Sequence, residues 1–170
     1  VKQIINLNNG HYIEEDIMDG GKTDFCIGIA GYPEKHFEAP NLDTDIYYLK
    51  RKIDLGAHYV TTQMFFNNEH YYSYVNRCRE HDVQVPILPG LKPLTTKRQM
   101  TMIPSIFNVE VPVELYNDMM KAKSEKDCEQ IGEDWLLEQC KDLLKNKVPM
   151  LHFYTLGKPH VIYNVLKRLF

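Results

Sequence analysis

Asp45, Tyr48 and Lys52 stand three and four residues apart, so on a helix they form one stripe. An acid, a phenol and an ammonium gathered at a core–solvent boundary can bind a polar, partly anionic ligand. They can equally be a surface ion pair with a snorkelling lysine. Upstream, Tyr32, Glu34 and His36 share a polar loop, and downstream Gln63 interrupts a run of apolar and hydroxyl residues. A buried glutamine must find partners for its amide, either from the protein or from a ligand.

The elements that would position these groups lie between Phe25 and Phe66. That stretch is an apolar run, a polar loop, a charged helical pattern and a second apolar run. It reads as strand, loop, helix and strand, in the order that builds a parallel sheet. Polar groups at the carboxyl ends of parallel strands are where such proteins place their sites. Phe25–Ala30 is expected to be a buried strand, with Gly28 and Gly31 leaving room for a close neighbour or ligand. Asn41 or Asp43 can cap the next helix, which runs to about Leu55 and closes at Gly56. Its Ile46, Leu49 and Ile53 form the sheet-facing stripe. In the strand Tyr59–Phe66, period two puts Tyr59, Thr61 and Gln63 on one face, with Val60, Thr62 and Met64 on the other.

The rest of the chain continues the alternation. Val1–Leu7 has helical spacing and stops at Asn8-Asn9-Gly10, and an acidic, turn-rich connector follows. Asn68–His81 reads as a helix with Tyr71, Tyr74, Val75 and Cys78 inward. Val85–Leu88 reads as a strand ended by Pro89-Gly90, Thr95–Ile103 as weakly helical, and Val113–Met120 as a short helix. Ser124–Lys145 is the longest helix, and Ser124 with Asp127 resembles a capping box. Met150–Leu156 is the fourth strand, and the last helix begins near Pro159, burying Ile162, Val165, Leu166 and Leu169. Four β/α units fit right-handed crossovers. They can make a small open sheet or half of an eight-stranded barrel, which usually needs about 250 residues. The chain begins at Val1 inside what reads as a helix end, so a piece of something longer, and hence the half-barrel, is expected.

Composition narrows the function classes. The apolar share of 44% and charged share of 25% are those of an ordinary globular domain. A formal charge of −3 gives no reason to expect a nucleic-acid partner, which usually needs a basic face. No apolar run approaches the roughly 18 residues of a membrane helix, and no secretory segment opens the chain. Cys26, Cys78, Cys128 and Cys140 lack C-x-x-C spacing, which suits reduced thiols in a cytoplasmic protein. The histidines show no metal-ligand spacing, so no metal is expected. Tyrosine, at 11 residues, can line a pocket or serve cores and rims.

Four blocks carry a family resemblance: AGYPEKHFEAP, LKRKIDLGAHYVTTQMFF, PILPGLKPLTTKRQ and LHFYTL. Together, in this order, they resemble methylenetetrahydrofolate reductase from about Phe25 to the end, and specifically the second half of that family's (β/α)8 barrel. Residues 1–24 would then be the end of a preceding helix plus a connector, and 25–170 the half-barrel. The resemblance implies FAD across the strand ends, NADH or NADPH as reductant, and 5,10-methylenetetrahydrofolate reduced to 5-methyltetrahydrofolate. It implies FAD contacts for Tyr32, His36, Ala39, Asp45, Tyr48, Arg51 and Lys52, with Arg51 and Lys52 supplying positive charge for the pyrophosphate. It implies folate contacts for Gln63, Gln99 and Lys158. Lys158 stands where the family more often has Arg, and Gly157 where it often has Asn; lysine keeps the charge but loses the bidentate fork.

The family's general acid and its flavin-side Asp have no counterpart here, so the resemblance assigns no catalytic residue to this chain. Loss of such an acid costs about 10²- to 10⁴-fold. The isolated chain is therefore expected not to turn over, and to associate with the missing amino-terminal half or with itself through raw sheet edges. Two other readings stand beside this one: a lyase with a Schiff base on Lys52, and a non-catalytic interaction module.

Overall fold

The computed structural model describes residues 1–13, 20–155, 157 and 159–170. Among these, helix α1 (Lys2–Asn8) precedes strand β1 (Gly28–Gly31), helix α2 (Leu42–Asp54) and strand β2 (Tyr59–Met64). Helix α3 (Asn68–Glu80) and strand β3 (Ile87–Leu91) follow. Three helices then stand in a row: α4 (Gln99–Phe107), α5 (Val113–Lys121) and α6 (Glu125–Lys145). Strand β4 (His152–Phe153) and helix α7 (Pro159–Leu169) complete the order. The strands lie side by side in the order β1-β2-β3-β4, all parallel.

Helix boundaries follow the capping chemistry. Asn41 Oδ1 accepts from the Thr44 amide at 2.8 Å, and Gly56 ends α2 at φ +107. At Gly56 an added Cβ would sit 2.7 Å from Ile5 Cδ1, so α1 docks against this turn. On α6 the capping box is complete: Asp127 accepts from the Ser124 amide, and Ser124 Oγ accepts from the Asp127 amide.

Helices α2, α3, α6 and α7 bury one face of the sheet. Ile46 and Leu49, Tyr71, Tyr74 and Cys78, Leu136 and Cys140, and Ile162 and Val165 pack on Val60, Ile87 and Leu91. A second cluster at the carboxyl end of β2 joins Met64 and Phe66 to Leu94, Met100, Ile103, Leu115 and Met119. The opposite sheet face is open: Gly28 and Ala30 are exposed, while Tyr59, Thr61 and Gln63 are half-buried. This alternation on β2 is the one its period-two pattern requires.

Three strand expectations need correction. β1 begins at Gly28, so Phe25 and Cys26 are exposed, and the strand is buried on one face only. Its apolar composition came from residues that alternate between faces. β3 runs through Pro89-Gly90 rather than stopping there. Proline cannot donate to the ladder, and the β2–β3 register shifts at this point. The Gly90 amide instead donates to Thr62 Oγ1 at 2.9 Å. Glycine is required here, because a Cβ would lie 2.1 Å from the Thr62 carbonyl oxygen and 2.7 Å from the Tyr154 ring. β4 is two residues long, shorter than Met150–Leu156, and Leu156 lies outside the described residues. Helix α4 starts at Gln99 instead of Thr95, because Gln99 Oε1 accepts from the Thr95 and Thr96 amides and holds that stretch in a turn.

Candidate functional site

Strand β1 ends at Gly31 and delivers the loop Tyr32–Pro40 to the carboxyl end of the sheet. That loop is fixed by side chains from elsewhere. Beneath it, the phenol of buried Tyr74 of α3 reaches up to the backbone where the loop leaves β1. Gly31 permits this approach, since a Cβ there would meet Tyr74 Oη at 2.4 Å and Val60 Cγ1 at 2.6 Å. Asp45 Oδ2 accepts from the His36 amide at 2.9 Å. Lys35, at φ +75, turns back so that its ammonium donates to the Ala39 carbonyl at 2.9 Å. Glu34 Oε2 accepts from the Glu110 amide at 2.6 Å, tying the loop to the α4–α5 connection.

The fixed loop and α2 enclose a cleft of about 390 Å³. Tyr32, His36, Ala39, Asp45, Tyr48 and Lys52 all line it, with Glu38, Pro40 and Thr44. The stripe on α2 thus meets the loop in space, and Ile46 and Leu49 of the same helix point into the core. The Tyr32 and His36 rings stand edge to face, 4.6 Å apart at 74°. Burial raises the Tyr32 pKa, and the nearby Asp45 charge raises it further, so this phenol remains a hydrogen-bond donor at neutral pH. Arg51 does not line the cleft. It is exposed, with its guanidinium carbon 5.9 Å from the Tyr47 ring centroid. Lys52 is exposed on a helix, whereas a Schiff-base lysine needs an apolar pocket.

The residues expected to touch folate are not gathered in that cleft. Gln63 stands half-buried on the open face of β2, where its Oε1 accepts from the following Met64 amide at 2.9 Å. Gln99 lines a second cleft of about 240 Å³ with Lys92, Thr95, Met102 and Thr155. β2 lies between β1, which feeds the first cleft, and β3, which feeds the second. Lys158 lies outside the described residues.

Sequence reasoning missed several contributors. Glu38, Pro40 and Thr44 line the first cleft, and the motif YPEKHFEAPNLDT already contained them. Lys92 was hidden because Pro89-Gly90 read as the end of its strand. The grouping of Glu34, His70 and Glu110, whose ligand-type atoms lie within 4.8 Å of one another, joins three distant segments that no spacing rule connects. His70 Nε2 there stands 3.7 Å from Glu110 Oε2, and burial raises the Glu34 pKa. A larger cleft of about 550 Å³ adjoins α3 and α6. Its Asn68, Gln139 and Asp142 are engaged in fixing those two helices to each other.

A parallel α/β protein with a fixed polar loop and a charged helix face at its strand ends has the form of a ligand-binding enzyme domain. The family model for methylenetetrahydrofolate reductase matches residues 12–170, and the chain belongs to that family. Among its relatives, a probable methylenetetrahydrofolate reductase (NADPH) of Caenorhabditis elegans is 37% identical over 147 residues, 85% of this chain and 22% of that protein. The 5,10-methylenetetrahydrofolate reductase of Salmonella typhimurium is 33% identical over 150 residues, 86% of this chain and 50% of that protein. Methylenetetrahydrofolate reductase (NADH) 1 of Arabidopsis thaliana is 31% identical, over 85% of this chain and 26% of that protein. The chain therefore spans half or less of the length of these relatives. A solved structure of an uncharacterized Clostridium thermocellum protein, which binds two copies of 5-methyl-5,6,7,8-tetrahydrofolic acid, shares the fold. Its TM-score is 0.55 at 19% identity, over 84% of this chain and 52% of that one. Among the described residues no helix is long and apolar enough to cross a membrane.

Proposed function

We propose that this chain is the flavin- and folate-facing second half of a (β/α)8 barrel that reduces 5,10-methylenetetrahydrofolate to 5-methyltetrahydrofolate with NAD(P)H. The observation that carries the reading is the convergence of six family-matched residues, Tyr32, His36, Ala39, Asp45, Tyr48 and Lys52, on one cleft. The cleft's donor set suits part of an FAD molecule: an ammonium at Lys52 for phosphate, phenols at Tyr32 and Tyr48, and the hydroxyl of Thr44. Bound FAD would supply hydride transfer between the nicotinamide and the folate. Asp45 acts chiefly as a loop anchor in this arrangement, because one carboxylate oxygen already holds the His36 amide. Arg51 adds positive charge on the same turn of α2. Gln63, on the open face, serves the folate, and the NH₂ group of Gln99 faces it from the second cleft.

Four parallel strands in sequential spatial order, helix-covered on one face only, support the half-barrel. In the closed barrel β1 and β4 would pair with further strands, and the open face would become the interior. The isolated chain is inactive in this reading and self-associates through those edges. The test joins the chain to the amino-terminal half of the Salmonella relative and adds FAD, NADH and methylenetetrahydrofolate. Yellow colour with substrate-dependent NADH oxidation is expected. A colourless, inactive mixture contradicts the reading, as does a chain that sediments as a well-folded monomer at micromolar concentration.

A further inference from the structure

We propose that Glu34, His70 and Glu110 form a binding site for one zinc-class divalent cation, which clips the loop Tyr32–Pro40 to α3 and to the α4–α5 connection. The inference stands apart from the flavin and folate assignment. One imidazole and two carboxylates offer ligand atoms that all lie within 4.8 Å of one another. Each comes from a different segment: Glu34 from the loop, His70 from the first turn of α3, and Glu110 from the stretch between α4 and α5. Ligand atoms about 2.1 Å from a tetrahedral ion stand roughly 3.4 Å apart. His70 Nε2 and Glu110 Oε2 are already 3.7 Å apart, and the Glu110 side chain, 70% exposed, has room to move in.

A second observation points to a ligand. Glu34 Oε2 accepts from the Glu110 amide, but Glu34 Oε1 is shut off from water and has no hydrogen-bond partner. A buried carboxylate oxygen left without a partner is costly, and an ion is one of the few things that explains it. A cation held by this carboxylate gives Oε1 its partner. It also offsets the repulsion of two carboxylates brought this close, which a neutral imidazole cannot do. The donor set selects the ion. Imidazole suits zinc and its neighbours, whereas magnesium and calcium take oxygen ligands. Three protein ligands leave a fourth tetrahedral position for water. Bound there, the ion braces the same loop that walls the Lys52 cleft.

The experiment titrates the chelator-treated full chain with zinc chloride, and in parallel with magnesium chloride, by calorimetry. It is run at about pH 7.5, where free imidazole is largely neutral. One zinc per chain is expected, bound more tightly than magnesium and raising the thermal unfolding midpoint. His70→Ala, Glu34→Gln and Glu110→Gln are each expected to weaken zinc binding about tenfold or more and to remove the midpoint rise. Glu110→Gln changes an exposed side chain, so it keeps the test sound if a substitution at the half-buried positions fails to fold. His160→Ala serves as the control, because His160 Nε2 stands 3.8 Å from Glu129 Oε2 in a comparable surface pair. It is expected to leave zinc affinity unchanged. No binding at millimolar zinc, equal affinity for magnesium, or zinc binding that survives in the folded variants and falls only with His160→Ala overturns the inference.

Discussion

Gly31→Ala tests whether the loop is seated as described. The added methyl would sit 2.4 Å from Tyr74 Oη and 2.6 Å from Val60 Cγ1, far inside normal contact. Neither neighbour can yield, since Tyr74 is 2% and Val60 0% exposed and they belong to different elements. Overpacking of this kind costs about 1–3 kcal/mol. For a chain of this size that lowers the unfolding midpoint by about 2–12 °C, readable by thermal circular dichroism. Tyr74→Phe removes the closer clashing atom, a buried hydroxyl, and costs about 1–3 kcal/mol alone. The double variant should therefore lose less than the sum of the two, by about 0.5 kcal/mol or more. The Val60 contact remains, so rescue is incomplete. Gly31→Ala within about 0.5 kcal/mol of the unsubstituted chain, or strict additivity, refutes the packing described for this loop.

Asp45→Ala frees the His36 amide, and in the reconstituted enzyme it should weaken FAD binding about tenfold, measured by flavin fluorescence quenching. Glu34 has a folded pKa above the ordinary 4.5, chiefly through burial, so the folded chain holds this proton more tightly than the unfolded one. Its contribution to stability is full below about pH 4.5 and is lost as pH rises through the folded value. Glu34→Gln keeps an acceptor for the Glu110 amide without the ionisation. Its urea midpoint should rise relative to the unsubstituted chain between pH 4 and pH 7.5, and a relative fall contradicts the assignment. Ser124→Ala opens the α6 capping box and should cost about 1 kcal/mol in thermal unfolding.

Much of the fold was legible because local signals agreed with tertiary packing. The Asn41 cap, the Gly56 stop and the Ile46–Leu49 stripe defined α2 from sequence, and the Ser124–Asp127 pair marked the start of α6. The Asp45–Tyr48–Lys52 stripe was visible for the same reason, since helical spacing alone puts those side chains together. What failed was long-range. Pro89-Gly90 reads as a break because the ladder irregularity that accommodates it lies in Thr62 of another strand. The partners that seat the loop, Tyr74 and Glu110, are 42 and 76 residues from Tyr32 and Glu34, beyond any periodicity. Lys92 was lost with the strand end that was placed before it.

Hydrogen exchange tests the flavin seat most directly. The chain, reconstituted with the amino-terminal half of the Salmonella relative, is labelled with and without FAD. The expected result is FAD-dependent protection of residues 31–40 and of α2, with the amides of His36 and Ala39 among the slowest. Protection confined to other segments, or none at saturating FAD, contradicts the assignment of this cleft to the cofactor.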